Sequence, residues 1–189
     1  GIDLSWIGKK TRITGAFFMD EWNPYSTFNK DDNRNWFGAQ LGISYKPNIL
    51  LKDILIKTEY TILDPRVYKH RFEINLPEHH GYPLGFWAGA HTEDLWIGWY
   101  WFINDYSHLK LIIESTQIGE IPPVTDQYDN ISIKFLDKNV KKRNVFGLEY
   151  EYGLTNGISL KFSSNYFSSK NLGYKLDNFV KYSFSVLYN

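Results

Sequence analysis

Two acidic residues form the pair with the clearest potential for catalysis. Glu149 and Glu151 stand two residues apart in a segment that alternates apolar and polar residues, so they share one face of a predicted strand. Paired carboxylates hydrolyse glycosidic bonds, but that reaction also needs a shielded substrate cleft, which the sequence does not specify. The sequence contains no cysteine, nucleophile elbow, P-loop or dinucleotide fingerprint. We therefore predict a protein that is not an enzyme.

Histidines in and beside the stretch 64–92 raise the question of a metal site or a pH switch. They are His70, His79, His80 and His91. His79 and His80 are adjacent, so they do not share a helix face and no fixed ligand spacing follows. We therefore predict no metal and no cofactor, and we favour a polar exposed loop or histidines that form hydrogen bonds within it.

The same stretch carries aromatic residues that are suited to stacking on sugar rings, because the apolar C–H face of a pyranose matches a flat aromatic surface. Its prolines and glycines predict a folded loop. Packing inside that loop is an equally good interpretation of the aromatic residues. The candidate polysaccharide-binding residues are His79, His80, Tyr82, Phe86, Trp87 and His91.

Alternation with a period of two residues dominates the chain. In the stretch 180–188, Val180, Phe184 and Tyr188 lie on one face, and Lys181 and Ser185 lie on the other. The same pattern returns along the chain, and helix-period patterns with caps are almost absent, so we predict an all-β, antiparallel fold.

Charged and polar residues collect on one predicted face, which in a barrel would line the lumen. They carry both signs of charge, which favours cross-strand ion pairs; a lining for permeation or glycan binding is the alternative. The predicted lumen-facing residues are Arg12, Asp20, Gln40, Lys57, Glu59, Lys110, Glu114, Glu149, Glu151, Lys161 and Lys181.

The connections between predicted strands alternate between short and long. The long ones lie at about 23–35, 64–92, 119–143 and 168–176. Short periplasmic turns that alternate with long extracellular loops are typical of outer-membrane barrels. Aromatic residues near strand ends fit interfacial girdles, although aromatic residues also favour strands in general. We predict a single partial transmembrane β-barrel domain over residues 1–189.

Composition excludes two other classes of protein. Lys and Arg total 21, as do Asp and Glu, so the formal net charge is zero and gives no basic footprint for nucleic acid. The mean hydropathy is −0.40, and no stretch approaches the length of about 18 apolar residues that a membrane-spanning helix needs. We therefore predict neither a nucleic-acid-binding protein nor a helical membrane protein.

The predicted number of strands, about nine, is odd. Bacterial barrels usually have an even number of strands and both termini in the periplasm. With a periplasmic C-terminus, an odd number of strands would have to precede Gly1. We therefore expect the chain to be the C-terminal part of a larger barrel.

Four ordered patches of the chain resemble the capsule assembly Wzi family. They are the stretches 17–21 (FFMDE), 40–45 (QLGISY), 59–70 (EYTILDPRVYKH) and 79–95 (HHGYPLGFWAGAHTEDL). The last is similar to the Gly-x-Pro-Leu-Gly loop of that family, which leads through an acidic pair into an aromatic strand. The chain departs from the family pattern by lacking the N-terminal strands and periplasmic helices, and by ending in Tyr188 and Asn189.

The resemblance implies an outer-membrane barrel of about eighteen strands, of which this chain is the C-terminal half. Such a barrel would bind or anchor capsular or other surface polysaccharide in a lectin-like, non-catalytic way. The partners that we expect are outer-membrane lipid, surface polysaccharide and other envelope proteins, but not nucleic acid. The alternatives are a porin-like outer-membrane channel and a structural barrel subunit of an envelope complex.

Overall fold

A computed structural model describes residues 1–22, 24–25, 35–47, 53–68, 78–79, 82–83, 85–120, 134–136, 139–155, 157–170 and 177–188. Of these, residues 20–21, 78–79, 82–83 and 155 are described by their backbone alone. All regular secondary structure in these ranges is β-strand, which confirms the predicted all-β fold. No helix in the described part of the chain is long and apolar enough to cross a membrane.

Nine strands form a single antiparallel sheet. In their order across the sheet they are β1 (Ile2–Ile7), β2 (Thr11–Glu21), β3 (Trp36–Tyr45), β4 (Ile54–Leu63), β7 (Thr92–Asn104), β8 (Ser107–Ile118), β9 (Lys141–Thr155), β10 (Ile158–Lys170) and β11 (Asp177–Tyr188). Two short strands, β5 (Glu78–His79) and β6 (Tyr82–Pro83), pair with each other in the connection between β4 and β7.

One face of the sheet is polar. Directly opposed residues of antiparallel strands point to the same face, so the register assigns each side chain to a face. One such row crosses the sheet from β2 to β11 through Arg12, Ser44, Lys57, Gly98, Ile112, Gly147, Asn165 and Lys181. By the same register, every predicted lumen-facing residue with a described side chain lies on this polar face; the side chain of Asp20 lies outside the description.

The opposite face is apolar. Its neighbouring row is Trp6, Ile13, Ile43, Thr58, Ile97, Ile113, Phe146, Tyr166 and Val180. Large side chains on this face remain exposed on strands from β1 to β11: Leu4 71%, Leu41 51%, Ile113 53%, Phe146 51% and Phe184 66%. This apolar face is therefore a broad hydrophobic surface that the described residues leave uncovered.

The apolar face forms a band of limited height. On β9 it runs from Phe146 to Leu154, which is about 27 Å along the strand at about 3.4 Å per residue. Charged residues appear on this side of the sheet toward the long connections, at Glu93 and Lys142, which share one register row through Gln117. The band is therefore bounded by polar residues at that end.

The sheet is open, with β1 and β11 at its two edges. Because each strand is antiparallel to its neighbours and the strands number nine, β1 and β11 run in the same direction. Direct pairing of the two edges would therefore create a parallel contact in an otherwise antiparallel sheet.

Connections at the two ends of the sheet differ in length. β7 and β8 are joined through Asp105 and Tyr106, whereas β8 and β9 are separated by residues 119–140. The strand ends differ slightly from the prediction, since β9 begins at Lys141 and β10 continues to Lys170. The end with the longer connections, called the long-loop end below, carries the candidate site.

Candidate ligand-binding site

The connection after β4 folds back over the polar face at the long-loop end. Its Val67 is fully buried and forms a small core with Trp36 and Leu63. Tyr68 and Phe86 pack against this core. The aromatic rings of Phe18 and Tyr68 lie 5.8 Å apart between centroids. The stretch is thus folded, and apolar contacts attach it to β2, β3 and β4.

Asp64 organises the turn that follows β4. Its Oδ1 accepts a hydrogen bond from the backbone N–H of Arg66 at 3.1 Å, as in an Asx turn. Its backbone carbonyl accepts from the N–H groups of Val67 and His91, both at 3.2 Å. Burial raises the pKa of the Asp64 carboxyl, and the neighbouring Arg66 partly offsets this. Burial also lowers the pKa of the Arg66 guanidinium. In this turn, burial therefore disfavours the charged forms of both the Asp64 carboxyl and the Arg66 guanidinium.

His91 joins two of the long connections. Its side chain is 1% exposed, and its Nδ1 lies 2.7 Å from the backbone oxygen of Glu120. Its Nε2 accepts a hydrogen bond from the backbone N–H of Leu136 at 2.8 Å. A carbonyl oxygen only accepts and a backbone N–H only donates, so Nδ1 carries the proton and the ring is neutral. The structure therefore favours the structural interpretation of His91, a hydrogen-bonding histidine within the loops.

Trp87 presents an aromatic surface at the same end of the sheet. It is 53% exposed, and the guanidinium carbon of Arg143 lies 4.7 Å from its ring centroid. Arg143 is held in place by Glu114, whose Oε1 accepts from its Nη1 at 2.9 Å. The Phe86 ring lies 5.9 Å from that of Trp87. Because a fixed cation supports the indole, Trp87 is an ordered platform for stacking.

The six predicted binding residues have different placements. Phe86 and Trp87 are neighbours, but Phe86 packs inward and Trp87 is exposed. His91 is buried and forms hydrogen bonds with backbone groups of Glu120 and Leu136. His79 and Tyr82 contribute backbone to the β5–β6 hairpin, and their side chains, together with all of His80, lie outside the described residues. The structure therefore brings together Phe86 and Trp87 from this set.

A cleft of about 400 Å³ lies between the folded-back connection and the polar face. Phe18, Tyr68 and Phe86 form its aromatic side, and its polar side includes Asp3, Gln40 and Thr61. Gln40 Nε2 donates to Glu59 Oε1 at 2.9 Å and to Thr61 Oγ1 at 3.0 Å, which fixes the amide. The cleft therefore has one aromatic wall and one hydrogen-bonding wall. Gly85 belongs to its lining, and a Cβ there would lie 2.7 Å from the Tyr68 ring.

Ion pairs cross the polar face nearer the short turns. Glu149 Oε2 lies 3.6 Å from Lys110 Nζ and 3.1 Å from Lys161 Nζ, so one carboxylate bridges β8 and β10. The Nζ atoms of Lys57 and Lys110 lie 5.3 and 5.6 Å from the centroid of Tyr100. These contacts favour cross-strand pairing over a selective charge ring. They also engage Glu149 in a structural role.

The second acidic residue of the candidate catalytic pair is held as well. Glu151 Oε1 accepts a hydrogen bond from Ser159 Oγ at 2.8 Å. Within the described ranges, no group of three or more His, Asp or Glu side chains is placed to hold a metal ion. The side chains of His79 and His80 are outside those ranges.

Sequence reasoning missed two parts of the site. Arg143 was treated as the end of a loop, although it lies on β9 and stacks on Trp87. The prolines of the stretch 64–92, Pro65 among them, predict turns there, but the Asp64 side chain is not among the predicted site residues, although an Asp before Pro65 and Arg66 is a turn signal that could have indicated its role. No local signal links Arg143 to Trp87, because the two residues meet only once the strands have paired.

Comparison with known protein families found no matching family model, and comparison with curated proteins found no match. The structure itself defines the class: a one-layer antiparallel sheet with an apolar face, an ion-paired polar face and folded connections at one end.

Proposed function

We propose that the chain is part of a bacterial outer-membrane β-barrel that holds surface polysaccharide and is not an enzyme. The observation that carries the proposal is the exposed apolar face, which continues through all nine strands of a one-layer sheet. Soluble proteins rarely leave contiguous apolar patches larger than a few hundred Å² in water. Hydrocarbon is the solvent that such a face matches, and the ion-paired face would then point to the lumen.

The height of the apolar band agrees with this proposal. The band of about 27 Å along β9 becomes about 20 Å across the membrane if the strands tilt by about 40°, close to the apolar belt of about 25 Å in outer-membrane barrels. Glu93 and Lys142 mark its polar boundary at the long-loop end, which the proposal assigns to the cell exterior.

Closure of the barrel requires further strands. β1 and β11 run in the same direction, so an odd number of additional antiparallel strands would join them. Open edges in hydrocarbon would leave backbone groups unpaired at a cost of several kcal/mol each. The resemblance to the Wzi family is consistent with this requirement, since a barrel of about eighteen strands would supply about nine more.

Polysaccharide binding rests on the aromatic platform at the long-loop end and on the resemblance to the Wzi family. Trp87 is exposed, and the guanidinium of Arg143 makes a cation–π contact with its ring. A sugar ring can stack on such a surface, and repeated weak contacts along one polymer retain it by multivalency. Glu149 and Glu151 are engaged by cross-strand partners, which supports a non-catalytic role.

The test compares two tryptophans at the long-loop end of the full-length protein. Cells that lack their own copy would express the wild type, Trp87→Ala or Trp22→Ala, and cell-bound and shed polysaccharide would be quantified. Trp22 follows β2 and is 63% exposed, so it serves as the matched control. We expect Trp87→Ala to lower the bound fraction at least threefold and Trp22→Ala to leave it unchanged. Equal retention in all three strains would contradict polysaccharide binding through this platform.

A porin-like channel is the second candidate function. Lys57 and Glu59 on the polar face are exposed, as in a water-filled lumen. The folded-back connection after β4 covers part of that face at the long-loop end, which would constrict a lumen and argues against an open channel. Single-channel conductance of the full-length barrel in a planar bilayer separates the two functions. A large steady conductance that added surface polysaccharide does not change would favour the channel.

A further inference from the structure

The cleft between the folded-back connection and the polar face has the features of a binding site in its own right. It is separate from the exposed Trp87, which does not line it, and it draws its walls from β1, β2, β3, β4 and the connection after β4. Its volume of about 400 Å³ falls at the lower end of the range of about 300 to 1,000 Å³ that is usual for small-molecule sites.

The polar wall of the cleft is rich in hydrogen-bond acceptors. Both amide protons of Gln40 are used by Glu59 and Thr61, so its Oε1 is left to accept. Asp3 adds a carboxylate. Thr61 Oγ1 already accepts from Gln40 and therefore has its own proton to donate. A ligand that matches this wall must supply several donors and at least one acceptor, which is the pattern of a polyol.

Charge narrows the class of ligand further. Asp3 is the charged side chain among the residues that line the cleft, and its carboxylate repels anions. The lining also includes the aromatic side chains of Phe18 on β2 and of Tyr68 and Phe86 on the connection, which suit the C–H face of a sugar ring. The combination selects an uncharged ring with several hydroxyl groups over an acidic sugar.

We propose that this cleft is a subsite for one uncharged pyranose residue. The inference rests on the proposed function, because it assigns the cleft to a sugar unit or chain end of the polysaccharide that the barrel holds. It goes further by naming a second contact region, on the polar face, and the charge class of the sugar. Trp87 and the cleft would then contact different parts of the same polymer.

The first experiment blocks the cleft. The full-length protein in detergent micelles would be titrated with methyl glucopyranoside, methyl galactopyranoside and sodium glucuronate, with saturation-transfer NMR as the readout. Ala16 lines the cleft, so Ala16→Phe should weaken binding of a neutral glycoside at least tenfold. Thr14→Phe is the matched control, because Thr14 lies two residues away on the same strand and face but does not line the cleft. Equal binding by both variants would overturn the proposal.

The second experiment changes the charge and does not depend on whether Ala16→Phe folds. Asp3→Lys places a cation at the polar wall, so it should shift preference from the neutral glycosides toward glucuronate. A wild type that prefers glucuronate, or that binds only detergent or lipid in the cleft, would overturn the subsite. Normal retention of polysaccharide on cells together with unchanged glycoside binding in Ala16→Phe would refute the subsite alone. Equal retention by cells that carry the wild type and by cells that lack the protein would refute the proposed function instead.

Discussion

At the scale of single residues, His91 is the side chain that most clearly determines the shape of the long-loop end. Its neutral ring accepts from the N–H of Leu136 and donates to the carbonyl of Glu120, and its own backbone oxygen accepts from Gly119 at 2.8 Å. These bonds join the connection after β4 to the connection after β8. Because the ring is buried, any group that enters its space must displace it.

Gly119→Ala is expected to break this junction. A Cβ at Gly119 would clash with Cε1 of His91, so the ring must move and lose its hydrogen bonds. Overpacking of this kind costs about 1 to 3 kcal/mol. Protection of the Leu136 amide in hydrogen exchange should fall accordingly. Gly15→Ala is the control, since nothing lies within 4 Å of its Cβ position. Unchanged Leu136 protection in Gly119→Ala would contradict the assignment.

The raised pKa of the Asp64 carboxyl makes the stability of the same region depend on pH. Burial raises its pKa in the folded state above the unfolded value of about 3.9, so its contribution to stability is fully present below that value. The contribution is lost as pH rises through the raised pKa, because the folded state must then bury a carboxylate. Asp64→Asn keeps an oxygen for the N–H of Arg66 and stays neutral.

We therefore expect the Asp64→Asn variant to be better protected than the wild type at pH 7 and equally protected near pH 3. The protection factor of the Val67 amide, which donates to the backbone oxygen of Asp64, is the measurement. Better protection of the wild type at pH 7 would mean that attraction to Arg66 outweighs the desolvation of the carboxylate.

At the scale of strands, adjacent residues experience different surroundings. Leu41 is 51% exposed on the apolar face, and its neighbour Gln40 lies on the polar face within 2.9 Å of Glu59. In a lipid-facing barrel, Leu41→Lys should be destabilising, because it places a charge against hydrocarbon. Such a charge costs about 2 to 4 kcal/mol at the bilayer midplane and less here, because the register row of Leu41 lies next to the row of Glu93 and Lys142 that bounds the apolar band. Gln40→Lys should cost much less, because its ammonium group can pair with Glu59.

Unfolding of the full-length protein in phosphatidylcholine vesicles by urea, followed by tryptophan fluorescence, measures both variants. A soluble sheet would respond differently, because Leu41→Lys would then move a lysine into water at little cost. Equal stability of the two variants would therefore argue against lipid on the apolar face.

The strands could be predicted from sequence because the alternation that specifies them is local. The alternation of apolar and polar residues such as Val180, Lys181 and Phe184 assigns each side chain to a face of the sheet within a single strand. The ends of β9 and β10 were less predictable, since charged residues such as Lys141 and Lys170 resemble loop residues although they extend the pairing.

The site was predicted only in part. Phe86 and Trp87 stood out by type, but the partners that orient them come from distant strands: Arg143 from β9, and Trp36 and Leu63 from β3 and β4. The burial of His91 likewise depends on Leu136 and Glu120 in another connection. Such contacts follow from the register of the whole sheet, which no short segment encodes.

At the scale of the molecule, the sheet divides chemistry between its two faces. The apolar face carries exposed side chains on edge strands and central strands alike. The polar face carries the ion pairs, the small core of Trp36, Leu63 and Val67, and the cleft. A soluble domain would cover the apolar face with a second layer. In the proposed barrel, lipid takes the place of that layer.

The most direct test of this claim measures which solvent each face contacts. Residues 1–189 contain no cysteine, so single cysteines can be introduced at Tyr166 and Asn165, adjacent residues of β10 on opposite faces. Each is labelled with nitroxide in the full-length protein in vesicles, after replacement of any cysteine outside these residues. Lipid contact predicts that the label at Tyr166 is relaxed strongly by oxygen and weakly by a water-soluble nickel complex, and that the label at Asn165 lacks this preference for oxygen. Strong relaxation of the label at Tyr166 by the nickel complex would contradict a membrane-facing apolar surface.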